Sequence, residues 1–417
     1  MPEDKNPIVS NRLADHVRRA SEILGVGWPQ VCDIWTDASF HVRPRDQYGN
    51  TGTGAVITPA NDNNISLALA FRVGHGFRHS AHAELRGAVL ALQAMRDHSI
   101  RQLYTDADFV ERRFNEVKDE KIKAEDFKDP HVINNIRRLE HILKQKPAIN
   151  CNWHARDNNY KNNSNMRQCA FPPTQDGSPL KNRMPIADKL AYAAQQHDLR
   201  RMFKAVSDMT APVLYFYKRD EEERSVLLQG AKSGNRLELQ LPQECNVWVN
   251  GIGNNKKGIN GVAAIITAAK NGTVPRFAIL SQTQTPLEAK IDSVLHTLQN
   301  LQAGIKINTV YIDDHAAYKT CVDIKKSDIS KERHCHNKNP ERNFEPQSTA
   351  LREYMGRHPG IRFKLRSSEN GFLNMAGDFA RAALKADMDD LIEAVEDLNV
   401  PCLYTNAPQG QMLISAI

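Results

Sequence analysis

The chain has 417 residues, 41% of them hydrophobic and 25% charged, which is enough apolar material for two to three domains. Its 55 basic and 49 acidic side chains leave a net charge of +6, too balanced to mark a polybasic nucleic-acid or membrane binder by itself. Seven cysteines, an odd number with no CxxC pair, exclude a disulfide framework, and no apolar run approaches the roughly 20 residues of a membrane span. No basic and apolar leader stands at residues 1–7, so the expected location is nucleus or cytoplasm, with no membrane partner.

Residues 11–24 place Leu13, Val17, Ala20, Ile23 and Leu24 at helical spacing, which predicts a leading helix in an N-terminal extension over 1–30. Val31-Cys32-Asp33-Ile34-Trp35-Thr36-Asp37-Ala38-Ser39, followed by Gly52-Thr53-Gly54-Ala55-Val56-Ile57, predicts a β-hairpin presenting Asp37. Residues 65–71 read as a third strand, and 81–92 as a helix with Glu84 in its first turns. A short buried strand at 102–106 ends on Asp106, a helical period covers 132–144, and 148–153 supplies a fifth strand. Residues 155–187 form a polar stretch with five basic and two acidic side chains, and a last helix starts near Pro185 with Asp188 at its beginning. The order βββαβαβα predicts an α/β architecture, a five-stranded mixed sheet flanked by helices.

The second half repeats this plan. Asn250 stands where Asp37 stood, Glu288 where Glu84 stood, Asp313 against Asp106 and Asp378 against Asp188, and Val400-Pro401-Cys402-Leu403-Tyr404 matches Ala211-Pro212-Val213-Leu214-Tyr215. Offsets of 213, 204, 207, 190 and 189 residues with matched local chemistry predict a tandem duplication, each copy ending in an extra strand or hairpin. The expected domains are 31–230 and 244–417.

Four carboxylates at strand ends and helix starts on one edge of a sheet repel one another unless hard cations neutralise them. Two Mg²⁺ ions held by oxygen ligands would activate a water and stabilise a leaving oxyanion in phosphodiester cleavage. The residues and their order resemble the ribonuclease H family over 31–200: Thr36-Asp37-Ala38-Ser39 with Gly52-x-Gly54, Ala83-Glu84-Leu85, Tyr104-Thr105-Asp106-Ala107, and Ala187-Asp188-Lys189-Leu190-Ala191. Integrase relatives order their acids differently, and proofreading exonucleases carry Asp-x-Glu on the first strand, where this chain has Asp37-Ala38-Ser39.

The resemblance implies two ribonuclease H-like domains and Mg²⁺-dependent cleavage of the RNA strand of an RNA/DNA hybrid, with Mn²⁺ as a substitute metal. Asp37 would bridge both metals, Glu84 and Asp106 would ligate one, and Asp188 the other. It further implies that Ser80 contacts the RNA strand and that Asn134 supports a DNA phosphate pocket. The Arg-x-Thr of that pocket is Phe77-Arg78-His79 here, with Arg78 as the substitute. Read from local pattern instead, Ser80 is a helix cap and Asn134 a surface residue. The histidine that aids product departure falls by counting at Asp157, with His154 three residues earlier as the other candidate.

In the second copy Asn250 carries no charge and cannot offer anionic oxygens to two metals, so that copy is expected not to cleave. Glu369 takes the histidine position there. Residues 325–342, with six basic and three acidic side chains, are either a phosphate-gripping insertion or a solvated charged loop, and His334-Cys335-His336 lacks the second ligand pair a zinc site needs. The expected partners are an RNA/DNA hybrid and, for the protein itself, a second copy or the other half of the chain. The alternatives are a non-catalytic hybrid or double-stranded-RNA binder reading A-like duplex shape, and a nuclease acting on another structured nucleic acid.

Overall fold

The computed structural model describes residues 12–42, 49–154, 174, 178, 180–207, 209, 211–219, 222–232, 241–254, 258–270, 274–283, 289–301, 304–326, 345–367, 370–406 and 410–417. The chain divides into two compact units, residues 1–230 with Ile417, and residues 231–416.

Unit 1 runs α1 (Arg12–Leu24), β1 (Val31–His41), β2 (Gly49–Pro59), β3 (Leu67–Phe77), α2 (Ser80–Ala94), β4 (Ser99–Thr105), α3 (Asp108–Lys118) and a 3₁₀ turn (Ala124–Asp126). It continues with α4 (Pro130–Gln145), β5 (Asn150–Trp153), α5 (Met184–Gln196), α6 (Leu199–Ser207), β6 (Val213–Arg219) and β7 (Glu222–Lys232). Its strands lie in the order β7-β6-β3-β2-β1-β4-β5. β1, β2 and β3 are antiparallel neighbours, β4 runs parallel to β1 and β5 to β4, and β6 runs parallel to β3 with β7 antiparallel beside it.

Alternation along β1 decides what each face carries. Cys32 and Ile34 enter a core with Leu13, Val17 and Ala20 of α1, Leu85 and Val89 of α2, and Ile136 and Leu139 of α4. The apolar stripe of α1 is thus buried in the first unit, so residues 12–24 are part of this core and not a separate extension. The opposite face, carrying Asp33, Trp35 and Asp37, is covered by α5, whose Ala187, Leu190, Ala191 and Ala194 are buried. That helix lies unusually close to the sheet. A Cβ on Gly54 would stand 2.2 Å from the Ala187 carbonyl oxygen, so only glycine permits the approach.

Unit 2 runs β8 (Glu244–Asn254), β9 (Ile259–Ala268), β10 (Pro275–Thr283), α7 (Ala289–Asn300), β11 (Lys306–Ile312) and α8 (His315–Lys326). It ends with α9 (Glu345–Arg357), β12 (Arg362–Leu365), α10 (Gly371–Lys385), α11 (Met388–Leu398), β13 (Cys402–Asn406) and β14 (Gly410–Ala416). The strand order β12-β11-β8-β9-β10-β13-β14 and the strand directions repeat those of unit 1. Val247, Val249, Ile266, Ile279, Val294, Leu298 and Val310 form its core.

Among the described residues each unit therefore has seven strands, the expected five plus a hairpin. The expected order βββαβαβα did not include helices α3 and α6. Burial pushes the thiols of Cys32 and Cys245 each up to about 12, which leaves them as inert core side chains. Among the described residues no helix is long and apolar enough to cross a membrane.

Candidate active site

The parallel register of β1 and β4 pairs Trp35 with Tyr104 and Thr36 with Thr105, so Asp37 and Asp106 follow side by side at the end of β4. Below them the Trp35 and Tyr104 rings stack with centroids 4.1 Å apart, a buried aromatic floor. Helix α2 crosses β1 at this level, because the missing side chain of Gly87 lets it settle on Thr53 and Thr36. Glu84, one turn earlier, then reaches the same edge. A carboxylate oxygen of Asp37, one of Glu84 and one of Asp106 all lie within 4.8 Å of one another.

Asp37 is fully buried, with its Oδ1 accepting the Ala38 N–H at 2.7 Å, while Glu84 and Asp106 are half-buried. At this separation each pair of ionised carboxylates repels by roughly 3 kcal/mol at an effective dielectric of about 20. Close-set carboxylate oxygens of this kind could hold a hard metal ion.

Asp188, half-buried one turn into α5, is not part of that group. Its helix is nevertheless seated beside Asp37: Gly54, which faces the Ala187 carbonyl, is the register partner of Asp37. The far end of α5 is tied to the β1–β2 hairpin by Gln195. Its Oε1 accepts from Ser39 Oγ at 3.0 Å, its carbonyl from Asn50 Nδ2 at 2.8 Å, and its Nε2 donates to the Asn50 carbonyl at 3.1 Å.

Ser80 is the first residue of α2 and exposed; the cap position belongs to His79, so the capping expectation for Ser80 is displaced by one residue. Arg78 is exposed just before the helix, and Asn134 is exposed on α4. His154 leaves β5 half-buried, its N–H donating to the Thr105 carbonyl at 2.7 Å, while Trp153 Nε1 donates to the Asp106 carbonyl at 2.9 Å. The end of β5 is thereby fixed beside Asp106. Asp157 lies outside the described residues.

In unit 2, Trp248 and Tyr311 are register partners and stack at 3.8 Å, and Asn250 and Asp313 follow two residues later on each strand. Asn250 Oδ1 accepts the Gly251 N–H at 2.8 Å, as Asp37 accepts that of Ala38, and its Nδ2 donates to the Leu373 carbonyl at 2.9 Å. Helix α7 begins at Ala289, and Glu288, Glu369 and residues 327–344 lie outside the described residues.

The side chain that meets Asn250 and Asp313 is Lys290. Its Nζ donates to Asn250 Oδ1 and to both Asp313 oxygens, at 2.8 and 2.9 Å. This lysine was missed because the acid at 288 matches Glu84 in chemistry; the apolar pattern Leu85, Val89, Leu92 against Ile291, Leu295, Leu298 sets residue 290 opposite Glu84. Asp378 is exposed on α10 and ion-paired with Arg381 at 2.6 Å.

Unit 1 thus places three carboxylates that could hold a metal ion at the end of the central strands of a mixed α/β sheet. Among solved structures the chain is similar to ribonuclease H proteins and domains. RNase H1 of Halobacterium salinarum is 19% identical over 30% of this chain and 86% of its own, with a TM-score of 0.24. The N-terminal RNase H domain of a Mycobacterium tuberculosis protein is 19% identical over 39% of this chain and 94% of its own, TM-score 0.27. LC11-RNase H1 from compost, solved in complex with an RNA/DNA hybrid, is 19% identical over 30% of this chain and 86% of its own, TM-score 0.24. No protein-family model and no curated protein matches the chain.

Proposed function

We propose that unit 1 is a divalent-metal-dependent endoribonuclease of ribonuclease H type that cleaves the RNA strand of RNA/DNA hybrids, and that unit 2 is a non-cleaving copy of the same fold. The observation that carries the reading is the convergence of Asp37, Glu84 and Asp106 within 4.8 Å. A duplex binder needs basic contacts, whereas three converging carboxylates repel phosphate unless a cation lies between them.

Asp37, Glu84 and Asp106 would hold Mg²⁺, or Mn²⁺ in its place, and Asp188 would complete the set from α5. The metal would supply Lewis acidity and a water activated for attack on phosphorus. Asp37 anchors the site because burial and its bond to Ala38 fix its orientation. The stacked Trp35 and Tyr104 keep β1 and β4 in register, and Gln195 keeps α5 in place. Ser80, Arg78, Asn134 and His154 are the residues proposed to meet the duplex around this edge. In unit 2 Asn250, Asp313 and Lys290 leave no net negative charge for a metal, which supports an architectural or substrate-holding role. Nucleus or cytoplasm is the proposed location.

The test is cleavage of a labelled RNA/DNA hybrid by the full chain with Mg²⁺, beside RNA-duplex and DNA-duplex controls. Hybrid-specific cutting that disappears in Asp37→Asn supports the proposal. Binding of hybrid without any cutting by the intact chain would replace it with the non-catalytic binder.

A further inference from the structure

The starts of α2 and α4 bring a second group of metal-ligating side chains together in unit 1. One pair is His79-Ser80-Ala81-His82, the other Asp129-Pro130-His131. Two short-spaced pairs from distant parts of a chain are the pattern by which a fold gathers the four ligands of a tetrahedral zinc. The pairs meet in space. Asp129 Oδ2 lies 3.5 Å from His82 Nδ1, and the His79 and His82 rings stand edge to face with centroids 5.3 Å apart. The charges that act on His82 are those of Asp129, His79 and His131.

His82 Nδ1 is buried and makes no hydrogen bond among the described residues, so the 3.5 Å gap to Asp129 is not bridged by one. That gap matches an edge of a zinc tetrahedron, since bonds of about 2.0–2.1 Å set neighbouring ligand atoms about 3.3–3.4 Å apart. Asp129 is held by its other oxygen, Oδ1, which accepts the His131 N–H at 2.8 Å as the cap of α4. A bond of this kind orients a ligating carboxylate. His79 stands at the cap position of α2 without a side-chain capping bond, and the exposed His131 rests against Phe77 with ring centroids 5.1 Å apart.

Among the described residues the three carboxylates are the one group whose ligand atoms all lie within 4.8 Å. In the histidine group the two exposed side chains, His79 and His131, close on an ion by turning about their side-chain torsions, a fast motion for surface residues. Three imidazoles and one carboxylate are a nitrogen-rich donor set, which suits Zn²⁺ and not Mg²⁺.

We infer that His79, His82, Asp129 and His131 form a zinc site, separate from the carboxylate cluster, that fastens the start of α2 to the start of α4. Glu84 lies two residues beyond His82, so this zinc holds the helix end that presents the acid. The inference does not depend on the nuclease reading, since no cleavage enters it.

The experiment is titration of the full chain, stripped with EDTA and exchanged into chelator-free buffer, with Co²⁺ as the spectroscopic substitute for Zn²⁺. Tetrahedral Co²⁺ absorbs visible light strongly and octahedral Co²⁺ on carboxylates and water only weakly, so the spectrum separates this site from the acid cluster. One equivalent is expected to give the strong band, and Zn²⁺ to abolish it by displacement. The band is expected to survive in Asp37→Asn, and Co²⁺ affinity to fall at least about tenfold in His79→Ala, His82→Ala and Asp129→Asn. Asparagine still caps a helix, and His79 is exposed, so two of these variants remove a ligand without removing a core contact. Weak absorption alone from the intact chain, a strong band unaffected by the three variants, or a band lost in Asp37→Asn would each overturn the inference.

A second arm is thermal unfolding with Zn²⁺ near 100 times its Kd. Tm is expected to rise by at least about 5 °C in the intact chain and in Asp37→Asn, and not to rise in Asp129→Asn. An intact chain indifferent to Zn²⁺, or an equal rise in Asp129→Asn, contradicts it.

Discussion

Asp37 and Asn250 occupy corresponding places: each follows by two residues a tryptophan stacked on a tyrosine of the neighbouring parallel strand, and each accepts the N–H of the next residue. Around this common frame the chemistry diverges. Unit 1 gathers three carboxylates with a formal charge of −3, whereas unit 2 gathers an amide, a carboxylate and an ammonium with a formal charge of zero. The helix contact differs as well. Unit 1 has glycine on the strand, Gly54, and alanine on the helix, Ala187, while unit 2 has Ala263 opposite Asn250 and Gly377 on α10, where a Cβ would stand 3.0 Å from Asn250 Nδ2. The same backbone frame thus carries a cluster of negative charge in unit 1 and an internal ion pair in unit 2.

The largest effect expected from breaking this contrast is Asp37→Asn, which gives unit 1 the amide of unit 2 and should lower single-turnover hybrid cleavage by at least about 10²–10³-fold. Acid separates the units next. Leu90 of α2 corresponds to His296 of α7, whose imidazole burial pushes down to about 4; Thr405 Oγ1 and Asn300 Nδ2 both lie on its Nε2, at 2.5 and 3.1 Å.

Because the folded pKa lies below the unfolded one, the unfolded chain binds the extra proton. Unit 2 stability therefore falls as pH drops from about 6.5 to about 4, by on the order of 3 kcal/mol in total. Denaturant unfolding at stepped pH checks this, and His296→Gln should flatten the slope.

Lys290→Met should cost unit 2 about 1–3 kcal/mol, since it leaves the largely buried Asp313 without its partner. Gly54→Ala should cost unit 1 a similar amount by pushing α5 off the sheet, and reduce cleavage with it. The smallest effect is Gln195→Ala, a loss of about 1 kcal/mol as its two side-chain hydrogen bonds to the hairpin become water contacts, the Asn50 bond to its backbone carbonyl being kept.

Much of this was legible in the sequence because period-2 alternation and repeated motifs are local signals. The runs around Trp35 and Trp248, the strands ending at Asp106 and Asp313, and the hairpins after each last helix all have such signatures. Helix α6 also had one, Leu199, Met202, Phe203 and Val206 at helical spacing, but it follows α5 with only two residues between. Helix α3 buries only Val110, Phe114 and Val117 among charged neighbours, a stripe too thin to stand out. The cation in the second site was hidden for a different reason: its meaning is a contact. The apolar period sets Lys290 opposite Glu84, but only the strand register and the start of α7 bring its ammonium between Asn250 and Asp313.

The central claim is that one frame is built to receive a cation and the other already contains one. Mn²⁺ binding, followed by calorimetry on the full chain, tests it most directly. The account predicts binding that is lost in Asp37→Asn, unchanged in Asn250→Ala, and increased by additional sites in the double variant Asn250→Asp, Lys290→Glu. Mn²⁺ binding that survives Asp37→Asn but falls in Asn250→Ala would contradict it, because the cation would then be taken up by the frame that Lys290 occupies.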